Sequence, residues 1–135
     1  MPGDLVRVAV VVLVQQGRVL MGHRRRERRW YPDSWDLIGG HVEPGENPHD
    51  AAERECVEEI GVVVRGQRRI PLASGDSSIE IHAFAATSWL GEPVNLATDE
   101  HDDLRWFAPN ELEGLVLADP TSLPDIIRAV EAAKP

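Results

Sequence analysis

The sequence predicts a mixed α/β (α+β) sandwich, and three observations carry that prediction. Val8 to Val14 is an unbroken aliphatic run without alternation, which suits a strand buried on both faces. Asn47 to Gly61 carries helix signals at both ends. Ile79, Ile81 and Ala83 alternate with Glu80 and His82 before the chain turns wholly apolar, as a strand entering a core does. With 42% hydrophobic and 27% charged residues, the 135-residue chain has the balance of an ordered protein, and a single domain is expected over residues 1–135.

The elements follow in order. Two strands over residues 5–24 meet at Gln16-Gly17. Residues 24–34 are polar, end in turn formers and read as a loop. A short strand at Trp35 leads to the Gly39-Gly40 break and a turn at Gly45. In the first helix Asn47 can cap, Pro48 suits the first position, Asp50 favours the positive end and Gly61 can close it. Residues 62–70 and 77–90 read as strands, 91–103 as a loop, and 104–108 as a short strand. A turn of helix is expected near Pro109, then a terminal helix over 123–133 with Ser122 as its cap.

Lys plus Arg number 14 against 23 Asp plus Glu, a formal net charge of -9. That balance argues against a nucleic-acid polymer as partner, because phosphate contacts need a basic surface. A phosphorylated small molecule remains open if a metal bridges the two negative partners. Cys56 is the sole cysteine, so no intrachain disulfide forms, and a cytoplasmic location is expected. The apolar run is too short to span a bilayer and the start has no signal-peptide pattern, so no membrane partner is expected.

Charge is concentrated on the first helix. On a helical wheel Glu55, Glu58 and Glu59 fall within an arc of about 100°. Ala52, Cys56 and Ile60 fill the neighbouring arc and should pack. Carboxylates at such spacing repel unless solvent or a cation compensates. A solvated acidic face is one reading. A site for a hard divalent cation beside a glycine-rich loop is the other, Mg²⁺ sharing its coordination with substrate phosphates.

Gly40, Glu46, Arg54, Glu55, Cys56, Glu58, Glu59, Gly61 and Val62 resemble the Nudix box, G-x5-E-x7-R-E-U-x-E-E-x-G-U with U apolar, and every gap has the right length. Cys56 stands where an aliphatic residue is usual, and Ile38 where many relatives have proline. The resemblance implies a Nudix-type α/β/α sandwich around a mixed sheet. It implies Mg²⁺-dependent hydrolysis of a nucleoside diphosphate linked to another group, with Mn²⁺ as a possible substitute. By position Glu55, Glu58 and Glu59 would hold metal with the Gly39 carbonyl, and Arg54 would pair with a box carboxylate, most simply Glu46. Glu46, Gly40 and Gly61 are then structural. Glu55 would take the proton, or an acid in the loop after the box.

Other residues are candidates for reading substrate. Five arginines crowd residues 24–29, and Arg24 stands where MutT-like relatives often contact phosphate. Relatives often carry an acid before the equivalent of Trp106; Glu100, Asp102 and Asp103 qualify, with Asp103 taken as the further metal ligand. Trp35 or Trp106 could stack a base, or belong to the core. Trp30 and Tyr31 could form a lid. The histidines show no zinc-ligand spacing and read as non-catalytic. Asp119 could contact the base, as an Asn or Asp in that region does in MutT-like enzymes.

The favoured activity is cleavage of a (d)NTP to NMP and pyrophosphate by a monomer or homodimer. The alternatives are ADP-ribose or a dinucleoside polyphosphate as substrate, or a non-catalytic nucleotide-binding module. Subclasses for the first two often carry Pro or Tyr about 15–18 residues past the box, and Ser74 to Glu80 holds neither.

Overall fold

The computed structural model describes residues 5–133; the ends of the expected domain, and the start read for a signal peptide, lie outside them. The spine is β1 (Val6–Gln15), with Ala9 to Val14 all buried. It pairs in parallel with β7 (Ile79–Ala86), from Val6–Ile79 to Leu13–Ala86. Its other edge is shared. β4 (Ile38–His41) pairs antiparallel with Val8 to Val11, while β2 (Arg18–Arg24) pairs only at Val14 and Gln15. Gln16 and Gly17 have φ of 52° and 73°, the left-handed pair that a two-residue hairpin needs. Beyond that turn β4 fills the space between β1 and β2. Gly39 permits it, since a Cβ there would collide with the Ala9 carbonyl oxygen.

β2 also pairs with β3 (Trp35–Asp36) and β9 (His101–Phe107), and β7 pairs with β6 (Arg68–Ile70). β5 (Val63–Arg65) and β8 (Ser88–Leu90) form a separate two-stranded sheet. Each expected strand in 62–70 and 77–90 is therefore two. Gly66, at φ 63°, turns the first, and at Thr87 the second changes sheet.

Alternation along β1 divides two cores. Ala9, Val11 and Leu13 pack with Ala51, Ala52, Cys56 and Ile60 of α1 (Pro48–Ile60). Val10, Val12 and Val14 pack with Ile126, Ala129 and Val130 of α3 (Leu123–Ala132) and with Leu112 of α2 (Pro109–Leu112). Each buried Val, Leu or Ile contributes roughly 1.5–3 kcal/mol, so both helices are clamped to the sheet and the sandwich is α/β/α. No helix among the described residues is long and apolar enough to cross a membrane.

Two local expectations change. Ser122 does not cap α3 through its side chain; its Oγ donates to the Asp119 carbonyl, and Asp119 caps the short 3-10 turn Pro120–Ser122 instead. β9 starts at His101, inside the expected loop. A bulge there sets Asp103 opposite His23 and His101 opposite Arg24. Asp102 is the extra residue and accepts from or pairs with His23 Nδ1 at 2.7 Å, while the His101 ring turns inward against Gly22.

Candidate active site

Helix α1 is held in register at both ends. The Asn47 side chain accepts from Asp50 N–H at 2.9 Å, and left-handed Gly61 donates its N–H to the carbonyls of Cys56 and Val57. With Ala52, Cys56 and Ile60 fixed in the core, the acidic edge faces the β4 glycines. Burial pushes the Cys56 thiol up to about 12, so this residue packs and does not react.

Arg54 organises the acids. Nε and Nη2 donate to the two Glu46 oxygens at 2.8 and 3.0 Å. Nη1 donates to Glu55 at 3.0 Å and Glu58 at 3.1 Å, and Nη2 also reaches the His41 carbonyl at 3.0 Å. That is one bond for each of the five guanidinium N–H groups. Hydrogen bonding to Arg54 holds the Glu46 carboxyl down at about 2. Glu55 rests on Gly40, where a Cβ would stand 2.5 Å from Oε1. Burial raises its pKa, outweighing Arg54.

Glu59 is different. It is only 3% exposed. Its Oε2 accepts from Gly39 N–H at 2.9 Å, and Oε1 stands 3.8 Å from His101 Nε2. Glu100 lies beside it, so that one carboxylate oxygen of each and a His101 ring nitrogen fall within 4.8 Å of one another. Burial, then Glu55 and Glu100, raise the Glu59 pKa well above neutral. Burial also lowers that of His101. A clustered set of hard oxygen donors whose most buried member lacks a bonded cation suits a divalent metal.

These residues line a cleft of about 950 Å³ with Gly39, Gly40 and Arg54. Arg24, Arg28, Trp30 and Tyr31 form part of its wall. The Tyr31 hydroxyl donates to Asp76 at 2.9 Å, tying the arginine loop to the turn before β7. A smaller hollow of about 660 Å³ beside β8 lies away from the acids.

Several expected residues sit elsewhere. Asp103 does not line the cleft; its carboxylate accepts from Arg105 at 2.7 Å on β9. Glu100, in the turn before β9, lines the cleft instead. Trp35 packs against the core, edge-on to its strand partner His23 at 4.9 Å and to Phe107 at 4.8 Å. Trp106 stacks on Trp89 at 6.0 Å, outside the cleft. Arg24 lines the cleft but donates to the Trp30 carbonyl at 2.9 and 2.7 Å, so it shapes the loop. Arg28, 3.7 Å from Glu100, also faces the cleft. Asp119 lies outside the lining, accepting from the N–H groups of Gly75 and Thr121 at 3.0 and 3.1 Å. His101 was not singled out by spacing; only the long-range pairing of β9 with β2 brings it to Glu59.

The family model described as NUDIX domain matches residues 4–129. A CTP pyrophosphohydrolase of Escherichia coli (strain K12) is 29% identical, with 97% of each chain covered. An oxidized purine nucleoside triphosphate hydrolase of Danio rerio is 33% identical over 107 residues, covering 74% of this chain and 64% of the fish protein. The solution structure of the E. coli ORF135 protein matches with a TM-score of 0.78 at 26% identity, covering 98% of this chain and 95% of that one. The crystal structure of a MutT NUDIX hydrolase from Burkholderia pseudomallei shares the fold, with a TM-score of 0.77 at 24% identity over 97% of this chain and 99% of that one. With the box carboxylates gathered in one cleft and the family match running over nearly the whole chain, this protein is a member of the Nudix hydrolase family.

Proposed function

We propose that this enzyme is a divalent-metal-dependent pyrophosphohydrolase of nucleoside triphosphates, releasing NMP and pyrophosphate. The observation that carries the reading is the single cleft, with Glu55, Glu58, Glu59 and Glu100 at its base and Arg28, Trp30 and Tyr31 in its wall. A cleft lined by carboxylates, arginines and aromatic rings suits a polyphosphate attached to a base. Two relatives named above, for CTP and for oxidized purine nucleoside triphosphates, support a triphosphate substrate.

Glu55, Glu58, Glu59 and Glu100 would hold the cation, with the Gly39 carbonyl as a further oxygen. When bound, Mg²⁺ or Mn²⁺ supplies Lewis acidity and shields the polyphosphate charge. Arg54 fixes the directions of Glu55 and Glu58 while leaving their outer oxygens to the cleft. Arg28 is placed to meet phosphate oxygen. Glu55, resting on Gly40 and held by Arg54, would accept the proton from the attacking water.

The test is a product screen with Mg²⁺ over NTPs, dNTPs, oxidized purine triphosphates, ADP-ribose and diadenosine polyphosphates. Pyrophosphate without orthophosphate from a triphosphate is expected. Turnover of ADP-ribose or diadenosine polyphosphates alone would refute the triphosphate reading. Binding without any turnover would make the protein a nucleotide-binding module.

A further inference from the structure

His101 is a buried side chain with unused bonding capacity at the base of the cleft. It is 3% exposed, and its ring occupies space that only glycine at position 22 leaves open, since a Cβ there would lie 2.8 Å from Cδ2. Nδ1 has no hydrogen-bond partner. Nε2 faces Glu59 Oε1 at 3.8 Å, beyond hydrogen-bonding reach. A histidine serving the core alone would bond at least one nitrogen.

Asn95 Oδ1 is likewise buried and unpartnered, although Asn95 Nδ2 donates to the His101 carbonyl at 2.7 Å. The Asn95 side chain is thus bonded to the main chain of His101 and leaves the ring free. A proton on Nδ1 leaves the Nε2 lone pair facing the acids. The segment is firmly seated: Val94 and Leu96 donate to the carbonyls of Ile60 and Glu59 at 3.0 and 2.9 Å. Ring nitrogen and carboxylate are thus tied to the same end of α1.

We propose that His101 supplies, through Nε2, a nitrogen ligand to a cation site shared with Glu59 and Glu100, so that the protein prefers a first-row transition ion such as Mn²⁺ or Co²⁺ over Mg²⁺. This rests on the metal-dependent reading of the cleft. The three donor atoms lie within 4.8 Å of one another. Donors on opposite sides of one ion with bonds of about 2.1 Å stand roughly 4.2 Å apart, so the adjustment required is a fraction of an ångström. An all-oxygen set suits Mg²⁺, whereas one imidazole among carboxylates raises affinity for transition ions and adds little for Mg²⁺. Arg28, 3.7 Å from Glu100, and Arg24, which donates to the Trp30 carbonyl, are the nearby cations, and neither bonds Glu59.

The experiment loads the whole protein with one equivalent of Mn²⁺ and records electron spin-echo envelope modulation without substrate. Modulation from a coordinated ¹⁴N is expected, absent in His101→Gln, whose Mn²⁺ affinity should fall about tenfold while Mg²⁺ affinity changes less. If His101→Gln does not fold, His49→Gln protein grown with ¹⁵N-histidine gives the answer, since the other histidine-containing acidic group is then removed and the ¹⁴N pattern must still be replaced. Mn²⁺ binding without nitrogen modulation overturns the proposal, and turnover of a triphosphate by that same sample would leave the proposed function standing. Equal losses of Mn²⁺ and Mg²⁺ affinity in the variant also overturn it.

Discussion

Replacing Glu59 by glutamine should stabilise the metal-free protein while destroying its activity. Glu59 is nearly isosteric with Gln, and the Gly39 N–H that donates to it at 2.9 Å can donate equally to an amide oxygen. The new NH₂ group would face Glu55 and Glu100, both acceptors. What disappears is the cost of an acid in this place. Burial and two neighbouring carboxylates raise the folded-state pKa from an ordinary 4.5 to well above neutral. The folded protein therefore keeps a proton that the unfolded chain releases, and stability falls as pH rises above 4.5 until the folded group itself ionises. Each pH unit in that window costs about 1.4 kcal/mol, giving about 1 kcal/mol at pH 5 and about 3 kcal/mol at pH 7. Gln carries no such cost. At about 3 °C per kcal/mol for a chain of this size, the variant should melt roughly 10 °C higher than the parent at pH 7 and about 3 °C higher at pH 5. Scanning calorimetry in EDTA measures the difference. A gap that stays constant from pH 5 to 8, or a variant less stable at pH 8, would refute the reasoning. Mg²⁺ should narrow the gap, because a cation relieves in the parent what the mutation removes.

Arg54→Lys keeps the charge but loses the fork that reaches Glu46, Glu55 and Glu58; Mn²⁺ affinity should fall about 10- to 100-fold in a binding titration, with turnover falling alongside. Gly40→Ala places a methyl 2.5 Å from Glu55 Oε1 and must push that carboxylate aside. Displacement of about 1 Å predicts a loss of about 100-fold in kcat, measured by pyrophosphate release, with KM changing far less. Asp119→Ala removes a cap and the bond to Gly75, so it should cost about 1 kcal/mol in urea denaturation. The ranking of bases in a substrate panel should stay unchanged; an altered ranking would return Asp119 to the binding site.

The first helix was legible because its signals are local. Asn47, Pro48 and Gly61 act within a turn of the helix they bound, and the packing arc of Ala52, Cys56 and Ile60 follows from its period. The spine strand was legible because only double burial explains so uniform an apolar run. Strand breaks at Gly66 and Thr87 were not, since what ends each strand is the change of pairing partner, from β8 to β7 for one and from β1 to β5 for the other. The box spacing located the acids and Arg54, but their environments depend on residues far along the chain.

Glu59 shows where the limit falls. On the helical wheel it belongs with Glu55 and Glu58, three similar acids on one edge. In the fold Glu58 is exposed, Glu55 is shielded by Arg54 and Gly40, and Glu59 is buried beneath Gly39, Glu100 and His101. The difference arises from the segment around Leu96 bonding to the end of α1 and from one extra residue in β9. That same bulge sets the face of His101: alternation back from Trp106 through Leu104 would turn Asp102 inward and His101 outward, and the inserted Asp102 brings His101 inward instead. A one-residue irregularity thus determines that the His101 ring, and not the Asp102 carboxylate, meets Glu59. Deleting Asp102 should make the pairing regular while His101 stays opposite Arg24 and inward, so that Glu100 and His101 remain beside Glu59. Retained Mn²⁺ affinity in a folded deletion variant is the expected outcome; a loss would mean that Asp102 itself, and not the register of His101, helps to build the site.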